Sequence, residues 1–212
     1  NTLTFGGNDE YTGYKYTGNL QTVDLGAISA LIGQVGYTID GPDGASVTIS
    51  SGTARFAFAD AGVYTVTFYT EGDTNYASMS KTVRIVVEKA MNEIDVSQVV
   101  VGSYVYSGTD MYLSLSEVTA VGLSSMEVTV DNGGSYNVNT RTVTLRNAGT
   151  YTVKLSIAET ANYSAASAEI TVTVSPKSVA KPSEDLRVFV YNGSEQVYEL
   201  ASSGYYTITG ET

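Results

Sequence analysis

A six-residue stretch occurs twice in the chain, as Ala61-Gly62-Val63-Tyr64-Thr65-Val66 and as Ala148-Gly149-Thr150-Tyr151-Thr152-Val153. Each copy is followed at the same distance by an Asn-Tyr pair, Asn75-Tyr76 and Asn162-Tyr163. The offset is 87 residues throughout, and residues 61–87 align without gaps to residues 148–174 with nine identities. A repeat of this length is long enough for each copy to bury a core of its own. The expected organisation is therefore residues 1–89 as one unit, 90–178 as its repeat, and 179–212 as a linker leading into an incomplete third.

Within the repeat the hydrophobic period is two. Tyr64, Val66 and Phe68 alternate with Thr65, Thr67 and Tyr69, which describes a strand with one apolar and one polar face. Residues 79–87 return as its partner with Val83, Ile85 and Val87 inward, closing the unit with a hairpin. Further strand signals fall at 20–25, 35–40, 46–49 and 54–58, and in the second unit at 94–101, 104–106, 111–115, 126–130, 141–145, 150–157 and 168–174. Charged residues make up only 16% of the chain against 21 Gly and 17 Tyr, a balance that favours strands and turns over helices. Residues 27–33 (AISALIG) read as a short helical turn or a bulged crossing loop, and Asp131-Asn132-Gly133-Gly134 as the clearest hairpin turn.

Asp60 and Asn147 stand four residues before Tyr64 and Tyr151, each at the start of a strand. That spacing resembles the tyrosine corner of Greek-key sandwiches, in which the phenol bonds back to upstream backbone. Two residues further on, where antibody-type domains place a disulfide cysteine, stand Val66 and Val153. The expected fold is thus all-β: tandem antiparallel immunoglobulin-like β-sandwiches without disulfides, with Tyr64 and Tyr151 as structural parts.

Tyr-x-Gly near the start (Tyr16-Thr17-Gly18, Tyr106-Ser107-Gly108), Ala-Gly-x-Tyr-Thr-Val late, and an Asn-Tyr-x-x-(Ala/Met)-Ser hairpin together resemble bacterial surface immunoglobulin-like repeats. They are most similar to the MBG (mostly beta, glycine-rich) type of adhesin-like proteins. The resemblance spans two units and the front of a third, and departs in the middle of each unit, where the copies differ in length. It implies an extracellular setting, at a cell surface or secreted, and a partner that is protein or glycan.

The third unit begins after residues 175–185, which hold two of the three prolines and read as a linker. Tyr191-Asn192-Gly193 repeats the first-strand motif and Tyr206-Thr207-Ile208-Thr209-Gly210 matches Tyr37-Thr38-Ile39-Asp40-Gly41. No closing hairpin follows, so residues 186–210 are expected to pair with strands of the second unit or of another molecule. With Asn1 in place of Met, the chain is expected to be a mature or excised piece of a longer one.

The residue inventory narrows the chemistry. The chain has no Cys, His or Trp, which removes thiolate and Ser-His nucleophiles. Its net charge of −11 is spread along its length without a basic stripe, which speaks against nucleic acid, and no apolar run is long enough to insert in a membrane. Asp40 with Asp43, or Glu71 with Asp73, are the carboxylate pairs a hydrolase would use, but they lie in turns where Asp and Gly serve the backbone. The chain therefore reads as a non-enzyme without a cofactor.

Calcium is the alternative ligand. Glu71, Asp73 and Asn75 alternate like the opening of a calcium loop, although Thr82 stands where its bidentate Glu belongs, and Glu88, Glu93 and Asp95 offer a second set at the junction of the units. Lys15 and Lys154 are the strand lysines to consider for an intramolecular crosslink, Lys154 facing outward with Thr152 and Ser156. The glycosylation-type triplets at Asn162 and Asn192 are read as chance. Tyr69, Tyr104, Tyr112 and Tyr136, with Tyr11 and Tyr14, remain as surface contacts. The functional expectation is a structural or adhesive module of a larger cell-surface protein, its alternative a carbohydrate-binding accessory module of a secreted polysaccharide-degrading enzyme.

Overall fold

The computed structural model describes residues 1–179 and 188–197. Eight strands form the first sandwich: β1 (Leu3–Phe5), β2 (Glu10–Lys15), β3 (Gln21–Ala30), β4 (Val35–Asp40), β5 (Ser46–Ser50), β6 (Thr53–Phe58), β7 (Gly62–Thr70) and β8 (Met79–Glu88). One sheet has the order β1-β3-β6-β5 and the other β2-β8-β7-β4. All pairings are antiparallel except β2 on β8, where Glu10 lies beside Arg84 and Tyr14 beside Val87. This is the immunoglobulin-like order, with the first edge of the chain divided between the two sheets.

The second sandwich repeats it with β9 (Tyr104–Val105), β10 (Met111–Ser114), β11 (Glu127–Val130), β12 (Ser135–Asn137), β13 (Thr142–Leu145), β14 (Gly149–Ile157) and β15 (Ala166–Ser175). Its sheets run β10-β13-β12 and β11-β14-β15-β9, with β9 parallel to β15 as β2 is to β8. The place of β1 is taken by a single bridge between Asp95 and Thr119.

Each sandwich buries its own core. In the first, Tyr64, Val66 and Phe68 of β7 and Val83, Ile85 and Val87 of β8 meet Phe56 and Phe58 of β6 and Leu25 of β3. The rings of Phe56 and Tyr64 meet edge-on at 5.1 Å, a geometry the ring quadrupoles favour. In the second, Tyr151, Val153 and Leu155 take the positions of Tyr64, Val66 and Phe68 against Leu113, Val143 and Leu145. Val66 and Val153 are fully buried, so packing fills the space between the sheets where other sandwiches place a disulfide.

The repeated stretch is an anchored turn. Tyr64 Oη donates to the Asp60 carbonyl at 2.8 Å, and Tyr151 Oη donates to that of Asn147 at 2.9 Å. The glycine between turn and tyrosine is required by the backbone. Gly62 and Gly149 sit at φ 149° and 142°, where side chains are strained. A Cβ would also fall 2.6 Å from Pro42 at Gly62 and 2.5 Å from Asn132 at Gly149.

Two local expectations are corrected. Residues 27–30 are neither helical turn nor loop: β3 passes a bulge between Asp24 and Gly26, then continues to Ala30 and pairs with β1. Positive φ at Gly26 lets the strand bend without stopping. The Asp131–Gly134 segment has the positive φ angles expected at Asn132 and Gly133, yet it closes no hairpin. It carries the chain from β11 in one sheet to β12 in the other.

The expected pairing of residues 186–210 lies largely outside the described residues, and 188–197 contains no strand.

Tyr64 supplies a test. Burial, and secondarily the Asp60 carboxylate, raise its pKa in the folded state. Below about pH 10, the ordinary tyrosine value, both states keep the proton and this contribution to stability is fully present. It is lost as pH rises through the raised folded value, because the unfolded chain ionises first. Denaturation curves should show this alkaline loss, and Tyr64→Phe should reduce it while lowering stability at pH 7 by about 1–2 kcal/mol. An alkaline limb unchanged in Tyr64→Phe contradicts the assignment.

Candidate functional site

The Asn-Tyr loops are built alike in both sandwiches. In the first, the Asp73 N–H donates to the Tyr76 carbonyl at 2.8 Å, and Asp73 Oδ1 accepts from the N–H groups of Asn75 and Tyr76 at 2.7 and 2.8 Å. In the second, the Thr160 N–H donates to the Tyr163 carbonyl at 2.9 Å and Thr160 Oγ1 accepts from the Tyr163 N–H at 3.1 Å. The alternating oxygen side chains that resemble a calcium loop are thus explained locally: Asp73 caps its own turn, and Thr160 does so with a hydroxyl. Gly72 is needed because a Cβ there would lie 2.7 Å from the Ser78 nitrogen.

The surroundings of the two loops differ. Asn75 and Tyr76 are exposed, whereas Asn162 and Tyr163 are half-buried against the first sandwich. Asn162 Oδ1 accepts from the Ala61 N–H at 2.8 Å, and Asn162 Nδ2 donates to Asp60 Oδ1 at 2.8 Å. Both partners belong to the turn that Tyr64 anchors. The Tyr163 ring meets Tyr16 edge-on at 5.3 Å and 77°. Lys89 Nζ reaches Glu159 Oε2 at 3.0 Å. The connecting segment is held as well, since the Ala90 N–H donates to the Asn162 carbonyl and the Ser164 N–H donates to that of Ala90, each at 2.9 Å. Asn92 adds bonds to Val121, its Nδ2 donating to the carbonyl at 3.1 Å and its Oδ1 accepting from the N–H at 3.2 Å. The segment between the sandwiches is a bonded joint.

The acidic residues considered for calcium do not converge. Asp73 serves its turn, and Glu88 lies 3.7 Å from Lys15 at the surface. Glu71 is exposed. Glu93 and Asp95 line one open depression with Asn92 and Thr119, where Asp95 Oδ1 accepts from the Ser97 N–H at 2.8 Å. That bond, aided by the Ser97 hydroxyl, holds the Asp95 carboxyl below its ordinary pKa. Among the described residues no three acidic groups are close enough to hold a metal ion. Lys15 and Lys154 are exposed and paired with Glu88 and Glu169, so neither reaches a core.

The tyrosines redistribute too. Tyr69 lies over Gly36, its cross-strand neighbour, where a Cβ would fall 2.5 Å from the ring. Tyr104 donates to the Tyr112 carbonyl at 3.0 Å, and Tyr136 packs on the second core. Tyr11 donates to the Leu25 carbonyl at 2.9 Å, and Tyr14 meets Phe58 edge-on. These five are members of the fold rather than free surface contacts. Tyr112 stays open, 60% exposed. Alternation alone could not separate them, because a half-buried tyrosine on an outer face reads like an exposed one. Tyr76, which the repeat pattern assigns to structure, is on the surface.

No protein-family model matches the sequence, and no curated protein matches it. Among solved structures the chain is similar to the titin domains Z1Z2 in complex with telethonin, at 16% identity over 82% of this chain and 96% of that one, TM-score 0.49. It is also similar to Dpr11 IG1 bound to DIP-gamma, at 13% identity over 83% and 99%, TM-score 0.36. The Sidekick-1 immunoglobulin domains 1–5 follow at 16% identity over 82% and 41%, TM-score 0.29. The fold assignment stands on the strand order itself.

The turn role of Asp73 is separable from a calcium role. Asp73→Asn, which keeps an acceptor oxygen, should leave stability nearly unchanged. Asp73→Ala should cost about 1 kcal/mol in chemical denaturation, with or without calcium. A calcium-dependent loss in Asp73→Asn contradicts this.

Proposed function

We propose that the chain is a non-enzymatic structural and adhesive module, two units of a stalk belonging to a larger extracellular protein. In this reading residues 1–89 and 90–178 are the two domains, and 179–212 are a linker and the front of a further one. The observation that carries it is the joint. The second sandwich seats the Asn162 amide on the Asp60-Ala61 turn of the first, and residues 88–93 are bonded on the way instead of forming a free linker. Neighbouring domains in a chain move relative to each other unless an interface restrains them. Bonds at the joint transmit orientation from one unit to the next, which a spacer requires and an independent binding module does not.

Several further facts agree. Of the carboxylate pairs considered for hydrolysis, Asp40 ends β4 beside Thr65 and Asp43 lies in the turn after it, while Asp73 of the other pair is engaged by backbone. No helix among the described residues is long and apolar enough to cross a membrane. The resemblance to bacterial surface repeats favours an extracellular setting and a partner that is protein or glycan. A glycan-binding reading has less to stand on, since most of the tyrosines it needs are structural.

The proposal is tested by ¹⁵N relaxation on the full chain. The two sandwiches should tumble as one body, and Asn162→Ala should let them tumble separately without unfolding either core. Independent tumbling in the unsubstituted chain overturns the spacer reading.

A further inference from the structure

Every sheet edge but one among the described strands is blunted against pairing with another chain. β1, β9 and β12 are only three, two and three residues long. β2 is bulged between Tyr11 and Tyr14 and carries Glu10 and Lys15 in ion pairs. On β10 the Tyr112 carbonyl is capped by Tyr104 Oη at 3.0 Å, and β11 has four residues and opens on Glu127. β5 has five residues, and its apolar side chains, Val47 and Ile49, already pack on the first core, so it has nothing apolar left to bury. Short strands, bulges, charges and covered groups are the means by which sheet proteins keep their edges from joining.

β4 has none of these protections. Its six residues, Val35-Gly36-Tyr37-Thr38-Ile39-Asp40, pair with β7 in unbroken register and hold no proline and no charge before Asp40. It ends its sheet, and among the described residues its backbone bonds to no strand other than β7. Val35 and Ile39 pack on the first core, whereas Tyr37, between them on the same face, is 40% exposed. This edge runs along the side of the sandwich. The joint lies beyond the Gly62 end of β7 and the Asn75-Tyr76 loop beyond its Thr70 end, so units added in tandem meet the ends and not this side. The described chain also leaves Ser175 at the end of the second sandwich away from the joint.

We propose that β4 pairs with β4 of a second copy of the chain, antiparallel about a two-fold axis at Tyr37. Residues directly opposite in an antiparallel pair share a face, so odd positions must meet odd ones. Centring on Tyr37 sets Val35 against Ile39 of the other copy, Gly36 against Thr38, and Tyr37 against its own counterpart. The inner-face seam is then apolar throughout and covers the exposed ring with a second ring. Asp40 meets Gln34, an amide donor, so no like charges stand opposite. A centre at Thr38 would face Tyr37 with Ile39 and forgo the aromatic pair. The contact is isologous and closes at two copies, joining their β2-β8-β7-β4 sheets edge to edge. One strand pair is a small interface, and each chain carries a net charge of −11, so the association is weak and strengthens with salt. The two chains run in opposite directions. On the stalk reading that suits chains projecting from facing surfaces, although the pairing itself does not rest on that reading.

The test is an NMR concentration series on the ¹⁵N-labelled full chain, from about 0.05 to 3 mM, which brackets a Kd on the order of 1 mM. The amides of residues 34–40 should shift together along one isotherm, more steeply as added salt screens the two acidic chains. In a mixture of isotope-labelled and unlabelled chain, filtered NOEs should connect the Val35 methyls of one copy to the Ile39 methyls of the other. Tyr37→Lys, which sets two ammonium groups side by side across the axis, should flatten the shifts at 34–40, and Tyr37→Phe should keep them. Absence of concentration dependence at 34–40, absence of the Val35–Ile39 NOE, shifts that survive Tyr37→Lys, or shifts centred on another edge overturns the proposal. Each of these failures leaves the internal Asn162 joint intact, so the stalk reading is judged separately by relaxation in the dilute chain.

Discussion

The hydrogen bond from Tyr64 to the Asp60 carbonyl, mirrored from Tyr151 to Asn147, is the interaction on which the rest of the architecture depends. A fully buried phenol must find an acceptor or lose the solvation it gave up. The only economical acceptor lies in the turn just before its own strand. Meeting that need fixes the turn, and Gly62 or Gly149 supplies the positive φ that lets it close. Once the turn is rigid, the Ala61 N–H and the Asp60 carboxylate present a fixed donor and acceptor beyond the end of the sandwich. The Asn162 amide, which has one of each, fits them without further adjustment. A core requirement in one unit thereby becomes the surface on which the next unit is seated.

Packing takes the place of a disulfide between the sheets. The position that could have held a cysteine is Val66 or Val153, fully buried between sheets. Around it the first core is dominated by aromatic rings, Phe56, Phe58, Tyr64 and Phe68, and the second by aliphatic side chains packed on Tyr151. The corner and the strand order are held constant, while the volume between the sheets is filled by different residues. Cores tolerate such repacking when volume and patterning are kept.

Much of this was legible in the residues. The two-residue alternation in 63–69 and 83–87 gave the buried faces directly, and the spacing of Asp60 and Asn147 from their tyrosines pointed to the corner. What escaped the sequence has identifiable causes. The β3 bulge at Gly26 looks like a strand end, because a glycine with positive φ serves both purposes. The Asp131–Gly134 turn has hairpin chemistry but joins different sheets, a distinction set by the strands that compete for pairing. The tyrosines at 104 and 136 are half-buried by packing on the second core, and Tyr69 by the absence of a side chain at Gly36. Above all, Asn75-Tyr76 and Asn162-Tyr163 are identical in type and share the bond that closes the loop yet differ in burial, because burial there is decided by what stands opposite.

The Asn162 amide closes the joint on the anchored turn of the preceding sandwich. Native-state hydrogen exchange at the Ala61 amide measures this directly, with the Ala148 amide as an internal reference in a turn of the same geometry. The predicted result is strong protection at Ala61 that collapses to the level of Ala148 in Asn162→Ala, with protection in β7 and β8 unchanged. Equal exchange at Ala61 and Ala148 in the unsubstituted chain, or protection at Ala61 that survives Asn162→Ala, would contradict it.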